Sequence, residues 1–318
     1  TCCVAHALYY CSHRTIILKK LCLYRGVFAL LRLNLFFNNA VNTMSKNKAY
    51  VFGATDKPLL GQTIGQNLAQ TVAAFPQVDA LVSVSQSLRI SYMEFWELTS
   101  LVAKGLMARG LKAGDRVGLC APNRYEWAIL QYATARIGLV LVNINPAYRL
   151  EELKYVINHS EMRMMIATLS FKKSNYKKML KQLEKHCRKL EQKLFLEESW
   201  RELLLMGAGI SDVDLQKEEA KVQFDDAVNI QYTSGTTGFP KGVTLSHHNI
   251  LNNGYFIGER LKYSEVDRVC IPVPLFHCFG MVIGNLACTS HGATMVYPSE
   301  SFNPIATLEA VVQERCTS

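Results

Sequence analysis

Apolar residues recur at helical spacing from Thr63-Ile64-Gly65-Gln66-Asn67-Leu68 to about Phe75. The period then shortens. Ala80-Leu81-Val82-Ser83-Val84 is an apolar run of strand length, and Leu88-Arg89-Ile90-Ser91-Tyr92 alternates as its hairpin partner. Glu94 to Arg109 returns to the helical period and stops at Gly110. A regular alternation follows: a strand at Arg116–Cys120, a helix opened by Pro122-Asn123 that runs to Ile137 and stops at Gly138, and a strand at Leu139–Val142. Asn143 to Pro146 turns the chain, Arg149 to His159 is helical, and Met164–Ala167 is a strand. This β-α-β-α-β order predicts an α/β fold, doubly wound, with largely parallel sheets and helices on their faces.

The pattern continues less regularly. In residues 172–195, Met179, Leu183, Cys187, Leu190 and Leu194 share one face at helical spacing, and the segment holds nine Lys/Arg against two Glu. A basic amphipathic helix suits a membrane surface or an acidic partner, and equally a solvated helix packed by one stripe. Residues 207–226 are mixed and polar, a connector. Ala227–Tyr232 is an apolar run that predicts a buried strand, and Gly242–Leu245 a second short one. Ser246 caps a helix running to about Leu261. Asp267–Ile271 is the next strand; a helix to about Ser290, a strand at Ala293–Tyr297 and a helix capped by Asn303 with Pro304 in its first turn complete the chain.

Composition adds a boundary. Of the 318 residues 49% are hydrophobic and 19% charged, which suits a folded globular chain. The net charge of +9 is unevenly spread: residues 1–55 hold seven Lys/Arg and no Asp/Glu, while the rest hold 28 basic against 26 acidic residues. The basic balance therefore belongs to a leader, residues 1–57, and argues against a nucleic-acid-binding surface. Folding is expected from 58 to 318. The leader's interspersed Arg/Lys, apolar runs and lack of acids fit a mitochondrial presequence, and they interrupt the apolar run too often for a membrane span. The first methionine is Met44, so a second reading takes residues 1–43 as untranslated-derived, with a cytosolic or peroxisomal protein. The ten cysteines form no CxxC and no zinc-type spacing, and their scatter fits a reducing compartment.

One stretch carries chemistry: Tyr232-Thr233-Ser234-Gly235-Thr236-Thr237-Gly238-Phe239-Pro240-Lys241-Gly242. Gly235 and Gly238 are free to take angles that aim successive N–H groups into one concavity. Ser234, Thr236 and Thr237 add O–H donors, and Lys241 adds a positive charge on a long arm. At ~4 Å and an effective dielectric of about 20, one such charge pair is worth roughly 4 kcal/mol before desolvation. The string is not a Walker A loop, because the position where that pattern needs its second glycine is Pro240. His277 is the second candidate, in Pro272-Val273-Pro274-Leu275-Phe276-His277-Cys278-Phe279-Gly280 at a strand-to-helix turn, where α/β proteins place ligand groups. The adjacent His247 and His248 point different ways on a helix, so they do not share an ion; they read as surface residues or as residues lying behind a site.

The eleven-residue string resembles the phosphate-binding signature of the adenylate-forming superfamily: acyl-CoA synthetases, luciferases, coumarate–CoA ligases and peptide-synthetase adenylation domains. Gly114-Asp115-Arg116-Val117, Pro122-Asn123, Glu126-Trp127 and Asn145-Pro146-Ala147-Tyr148 look like the early blocks of acyl-CoA synthetases. The likeness extends over roughly residues 58 to 318 and looks nearest to the mitochondrial medium-chain acyl-CoA ligases. It implies the large N-terminal AMP-binding domain of such an enzyme, incomplete at its C-terminal side, since the adenine, ribose, hinge and adenylation-lysine motifs of the family are absent from this sequence. It implies ATP, Mg2+ and coenzyme A as cofactor and co-substrates, and a fatty acid activated as its adenylate. Thr233 to Lys241 would then hold the ATP phosphates, and His277, matching the Pro-x-Phe-His-x-x-Gly block, would border the acyl pocket. Another adenylate-former such as an aryl-CoA ligase, and a non-catalytic splice product that binds phosphate or full-length subunits, are the alternatives.

Overall fold

The computed structural model describes residues 53, 56–233 and 240–318. Thr63 opens the first helix, α1 (Ile64–Ala74), with a capping box closed by Gln66. Strands β1 (Asp79–Ser83) and β2 (Leu88–Ser91) form the expected hairpin, and Ser91 with Glu94 makes a second capping box for α2 (Tyr92–Ala108). The alternating region gives β3 (Arg116–Cys120), α3 (Tyr125–Arg136), β4 (Val140–Asn143), α4 (Leu150–His159) and β5 (Met164–Ala167). There follow a short hairpin of β6 (Ser170–Phe171) and β7 (Ser174–Asn175), then α5 (Tyr176–Leu183), β8 (Gln192–Phe195), α6 (Leu196–Ala208) and α7 (Asp212–Glu219). The chain continues through β9 (Ala227–Thr233), β10 (Lys241–Ser246), α8 (His247–Leu261) and β11 (Arg268–Cys270). A π-helical segment, Phe279–Leu286, runs into α9 (Ala287–Thr289), and β12 (Thr294–Tyr297) and α10 (Pro304–Gln313) follow.

Among the described residues the strands other than β6 and β7 make two sheets. One has the order β10-β9-β4-β3-β5-β8, parallel throughout except for β10, which pairs antiparallel with β9. The other has the order β11-β12-β1-β2, with only β2 antiparallel. In the larger sheet the chain steps from β3 to β4 on one side, then crosses back to β5 on the other. That reversal is the switch point at which open α/β sheets leave a crevice beyond the strand C-termini.

Strand alternation sorts side chains onto two faces of this sheet. Val117, Leu119, Leu141, Met164 and Ile166 join the main core with α1, α2, α3 and residues of the second sheet. Cys120, Val142, Met165 and Ala167 join a smaller core with Leu153, Val156 and Ile157 of α4 and Tyr176, Leu180 and Leu183 of α5. Helix α3 is buried at every residue from Glu126 to Arg136. Its charged ends are compensated: Arg124 meets Glu126, and Arg136 donates to Glu219, Thr99 and Ser100 while lying 3.5 Å over the Trp96 ring.

Three expectations change. Helix α3 starts at Tyr125 rather than at Pro122-Asn123, because the Asn123 side chain is engaged elsewhere. The basic segment 172–195 is not one helix: α5 ends at Leu183, and Leu194 lies in β8. Its apolar residues still face inward, since Leu183, Cys187 and Leu194 are buried, but a strand at the sheet edge supplies one of them. The polar connector 207–226 contains α7, capped by Ser211 and fixed by the Arg136–Glu219 and Lys104–Asp212 ion pairs. Among the described residues no helix is long and apolar enough to cross a membrane.

Candidate active site

The β9–β10 hairpin ends at the C-terminal edge of the parallel sheet. Thr233 is the last residue of β9, Lys241 the first of β10, and the two are paired in register. Pro240 is half-buried and Lys241 exposed. Ser234, Gly235, Thr236, Thr237, Gly238 and Phe239 lie outside the described residues. The structure therefore describes the two ends of the signature and the scaffold that carries them.

That scaffold is an amide ladder buried across β4 and β9. Gln231 Nε2 donates to Asn229 Oδ1, and Asn229 Nδ2 donates to Asn143 Oδ1 and to the Leu141 carbonyl, each at 2.9 Å. Asn143 Nδ2 then reaches out of the sheet to the Phe276 carbonyl at 3.0 Å. Three buried carboxamides are costly unless bonded, and here each is bonded to the next. The ladder ties the residue before His277 to the strand that delivers Thr233, so the two sequence-predicted groups share one edge of one sheet. The signal in the sequence was polar amides inside otherwise apolar strands, Val140-Leu141-Val142-Asn143 and Ala227-Val228-Asn229-Ile230-Gln231; hydrophobic periodicity does not register it.

A second clamp holds the same segment. Asn123, 3% exposed, donates through Nδ2 to the Val273 carbonyl and accepts from the Leu275 N–H, both at 2.9 Å. Its own N–H donates to the Glu300 carbonyl. One residue, through its side chain and its backbone N–H, thus joins the chain after β3 to two loops. His277 is exposed, and its Nδ1 accepts from the Phe279 N–H at 3.2 Å, which puts the neutral ring's proton on Nε2.

Between these loops lies a cleft of about 510 Å3. Its lining includes the apolar Pro122, Pro146, Pro274, Phe276 and Phe302, the cationic Arg149, Lys172 and Lys173, and the acidic Glu300. A lining that combines apolar and cationic side chains suits a ligand with one greasy and one anionic end. A smaller cleft of about 460 Å3 lies between α2 and α7 and includes Arg136 and Lys104, both held in the ion pairs described above.

Helix α4 supports the hairpin from below. Tyr155 donates through its hydroxyl to the Pro240 carbonyl at 3.0 Å, and His159 Nδ1 shares a hydrogen bond of 2.9 Å with the Tyr232 hydroxyl. Burial pushes the Tyr232 phenol up to about 12, so it remains protonated at neutral pH. His247 differs from expectation: it is fully buried, and its Nδ1 accepts from the Ile64 N–H at 3.2 Å. Burial lowers its imidazolium to about 4, offset in part by Asp226, so it is a neutral structural acceptor that joins α8 to α1. His248 is half-buried beside Asn252.

Comparison with known proteins gives the family and the fold. The family model for AMP-binding enzymes matches residues 68–318. The zebrafish protein named medium-chain acyl-CoA ligase ACSF2, mitochondrial, is 38% identical over 293 residues, covering 85% of this chain and 48% of that protein. The Bacillus subtilis putative acyl-CoA synthetase YngI is 38% identical over 279 residues, covering 81% of this chain and 51% of that protein. The chain thus spans about half the length of the curated relatives it matches. Among solved structures, the N-terminal domain of FACL13 from Mycobacterium tuberculosis superimposes with a TM-score of 0.70 at 24% identity, over 80% of this chain and 61% of that one. At that identity the likeness speaks for the fold.

Proposed function

We propose that this chain, which belongs to the AMP-binding enzyme family, carries the triphosphate-binding and acyl-facing part of a fatty acid–CoA ligase. The reaction joins a fatty carboxylate to the α-phosphate of ATP with release of diphosphate, and coenzyme A thiolate then displaces AMP to give the thioester. The observation that carries this reading is the signature's position: both its ends stand on a hairpin at the C-terminal edge of a parallel sheet, tied through Asn143 to the His277 loop.

In this reading Thr233, Ser234, Gly235, Thr236, Thr237, Gly238, Phe239 and Pro240 line the ATP phosphates with N–H and O–H donors. Lys241 neutralises charge on the departing diphosphate, where it concentrates in the transition state. Mg2+ enters bound to the phosphates of ATP, as part of the substrate. His277 and Phe276 face the acyl group, and Arg149, Lys172 and Lys173 suit the phosphates of coenzyme A. A medium-chain acid and a mitochondrial location are supported by the names of the ACSF2 relatives, and location also by the basic leader, residues 1–57. Residues 58–318 form the partial AMP-binding domain, and catalysis by these residues alone is not expected.

The test is fatty-acid-dependent exchange of labelled diphosphate into ATP, measured for this chain and for a longer parent. Exchange in the parent that drops at least about 100-fold with Lys241→Ala supports the reading. Exchange in the parent that is indifferent to Lys241 refutes its role. In the same parent His277→Ala should alter the preference among acids of different length; an unaltered profile makes His277 structural.

A further inference from the structure

Among the described residues, strand β10 lies at the edge of its sheet and pairs only with β9. Half of its residues, Lys241, Val243 and Thr244, are exposed and the others are half-buried. An edge strand of this kind has few contacts to fix where its first residue sits. Yet that first residue is Lys241, whose ammonium, in the phosphate-binding reading, has to be held within reach of a phosphate.

The described contacts at this end come from α4. Tyr155 bonds the Pro240 carbonyl, one peptide before Lys241. Its ring stacks on His159, with centroids 5.2 Å apart and planes inclined by 23°. His159 in turn meets the Tyr232 ring edge-on at 5.8 Å and shares the 2.9 Å bond with its hydroxyl. Tyr232 Oη also lies 3.5 Å from the Val156 carbonyl. The three rings thus join both ends of the signature, Tyr232-Thr233 and Pro240-Lys241, to one rigid helix. A glycine leaves room beside the Tyr232 ring. Gly242 is the register partner of Tyr232, and a Cβ there would come within 3.3 to 3.4 Å of the Tyr232 ring and of Ile230. The same helix begins next to Arg149, which lines the cleft.

We propose that Tyr155 and His159 are positioning residues that set the placement of Lys241 by holding Pro240 and Tyr232 against α4. The proposal rests on the phosphate-binding reading given above for its consequence, though not for its geometry. Neither residue is assigned a contact with substrate; both act through the hairpin.

Two measurements on the 318-residue chain separate the geometry from the consequence. The first is hydrogen exchange of the β10 amides, Lys241 to Ser246, in wild type, Tyr155→Phe, Tyr155→Leu and His159→Asn. Tyr155→Phe keeps the stack and removes only the hydroxyl. It should raise exchange at the start of β10 by about 3- to 10-fold, the worth of one hydrogen bond, with α3 and β3 unchanged. Tyr155→Leu, which loses the stack as well, should raise it further, and His159→Asn should act on β9 and β10 together. Unchanged β10 exchange in both Tyr155→Phe and His159→Asn overturns the proposal. The second is equilibrium binding of MgATP. Wild type should bind several-fold tighter than Tyr155→Phe, with thermal midpoints alike. Equal affinities overturn the positioning role while leaving the phosphate-binding reading in place. Faster β10 exchange together with no binding by any form, wild type included, upholds the clamp and refutes the phosphate-binding reading instead.

Discussion

Asn123→Ala is the substitution whose effect the structure determines most directly. The side chain is 3% exposed and makes two hydrogen bonds, one to the Val273 carbonyl and one from the Leu275 N–H. Each is worth about 0.5–1.5 kcal/mol net. Alanine also leaves the Leu275 N–H without its acceptor beside a fully buried side chain, at a cost of about 1–3 kcal/mol. The two contributions overlap, so a loss of about 2–4 kcal/mol is expected. Urea unfolding followed by tryptophan fluorescence reads it. With a denaturant slope of about 3 kcal/mol per molar, suited to a unit of this size, the midpoint should fall by about 1 M. Asn123→Asp keeps the acceptor and loses the donor, and it places a carboxylate oxygen against the Val273 carbonyl, so it should be no milder. A midpoint within about 0.2 M of wild type for Asn123→Ala would mean that water replaces the amide, and that Pro274 and Phe276 are held to the cleft by something else.

Other outcomes follow from the same contacts. His247 has its folded pKa near 4 against an ordinary value of 6.5, so the unfolded chain takes up a proton that the folded chain refuses. Its contribution is complete above about pH 6.5 and is lost as pH falls toward 4, by about 3 kcal/mol in all; His247→Gln should flatten that part of the stability–pH profile, and an identical slope in the variant would remove His247 as its cause. At the crossing of α2 and α6, a Cβ on Gly207 would sit 2.0 Å from the Leu101 carbonyl, and one on Gly105 2.3 Å from the Leu203 carbonyl. Backbone cannot yield to a methyl there, so Gly207→Ala should cost more than about 3 kcal/mol or prevent folding, and normal thermal stability would show that the helices slide apart freely.

Much of this architecture could be read from periodicity alone. Ser246 and Asn303 cap the helices they were expected to cap, because a short polar side chain before an apolar period has few other uses, whereas Ser91, read as part of a strand, also caps a helix. The parallel sheet followed from strands alternating with helices. What stayed hidden was long-range. Asn123 reads locally as a helix start, but its side chain is engaged by Val273 and Leu275, 150 residues away. Helix α6 was not assigned, and its tight packing through Gly207 against Leu101 leaves no mark on either segment alone. His247 looked external beside His248, yet its acceptor role is set by Ile64, 183 residues distant. In the candidate site, Thr233, Lys241 and His277 were legible because their chemistry is concentrated in short strings. The ladder of Asn143, Asn229 and Gln231 was not, since each residue is ordinary by itself and gains meaning only from its cross-strand neighbour.

The central claim is that the hairpin carrying Thr233 and Lys241 holds the phosphates of ATP. Equilibrium dialysis of labelled MgATP against this chain, wild type beside Lys241→Ala, tests it most directly. Saturable binding that Lys241→Ala weakens at least about 10-fold is the expected result, since loss of one charge-assisted contact costs about 1.5–3 kcal/mol. Binding of equal strength in the two proteins would place the nucleotide elsewhere and contradict the account.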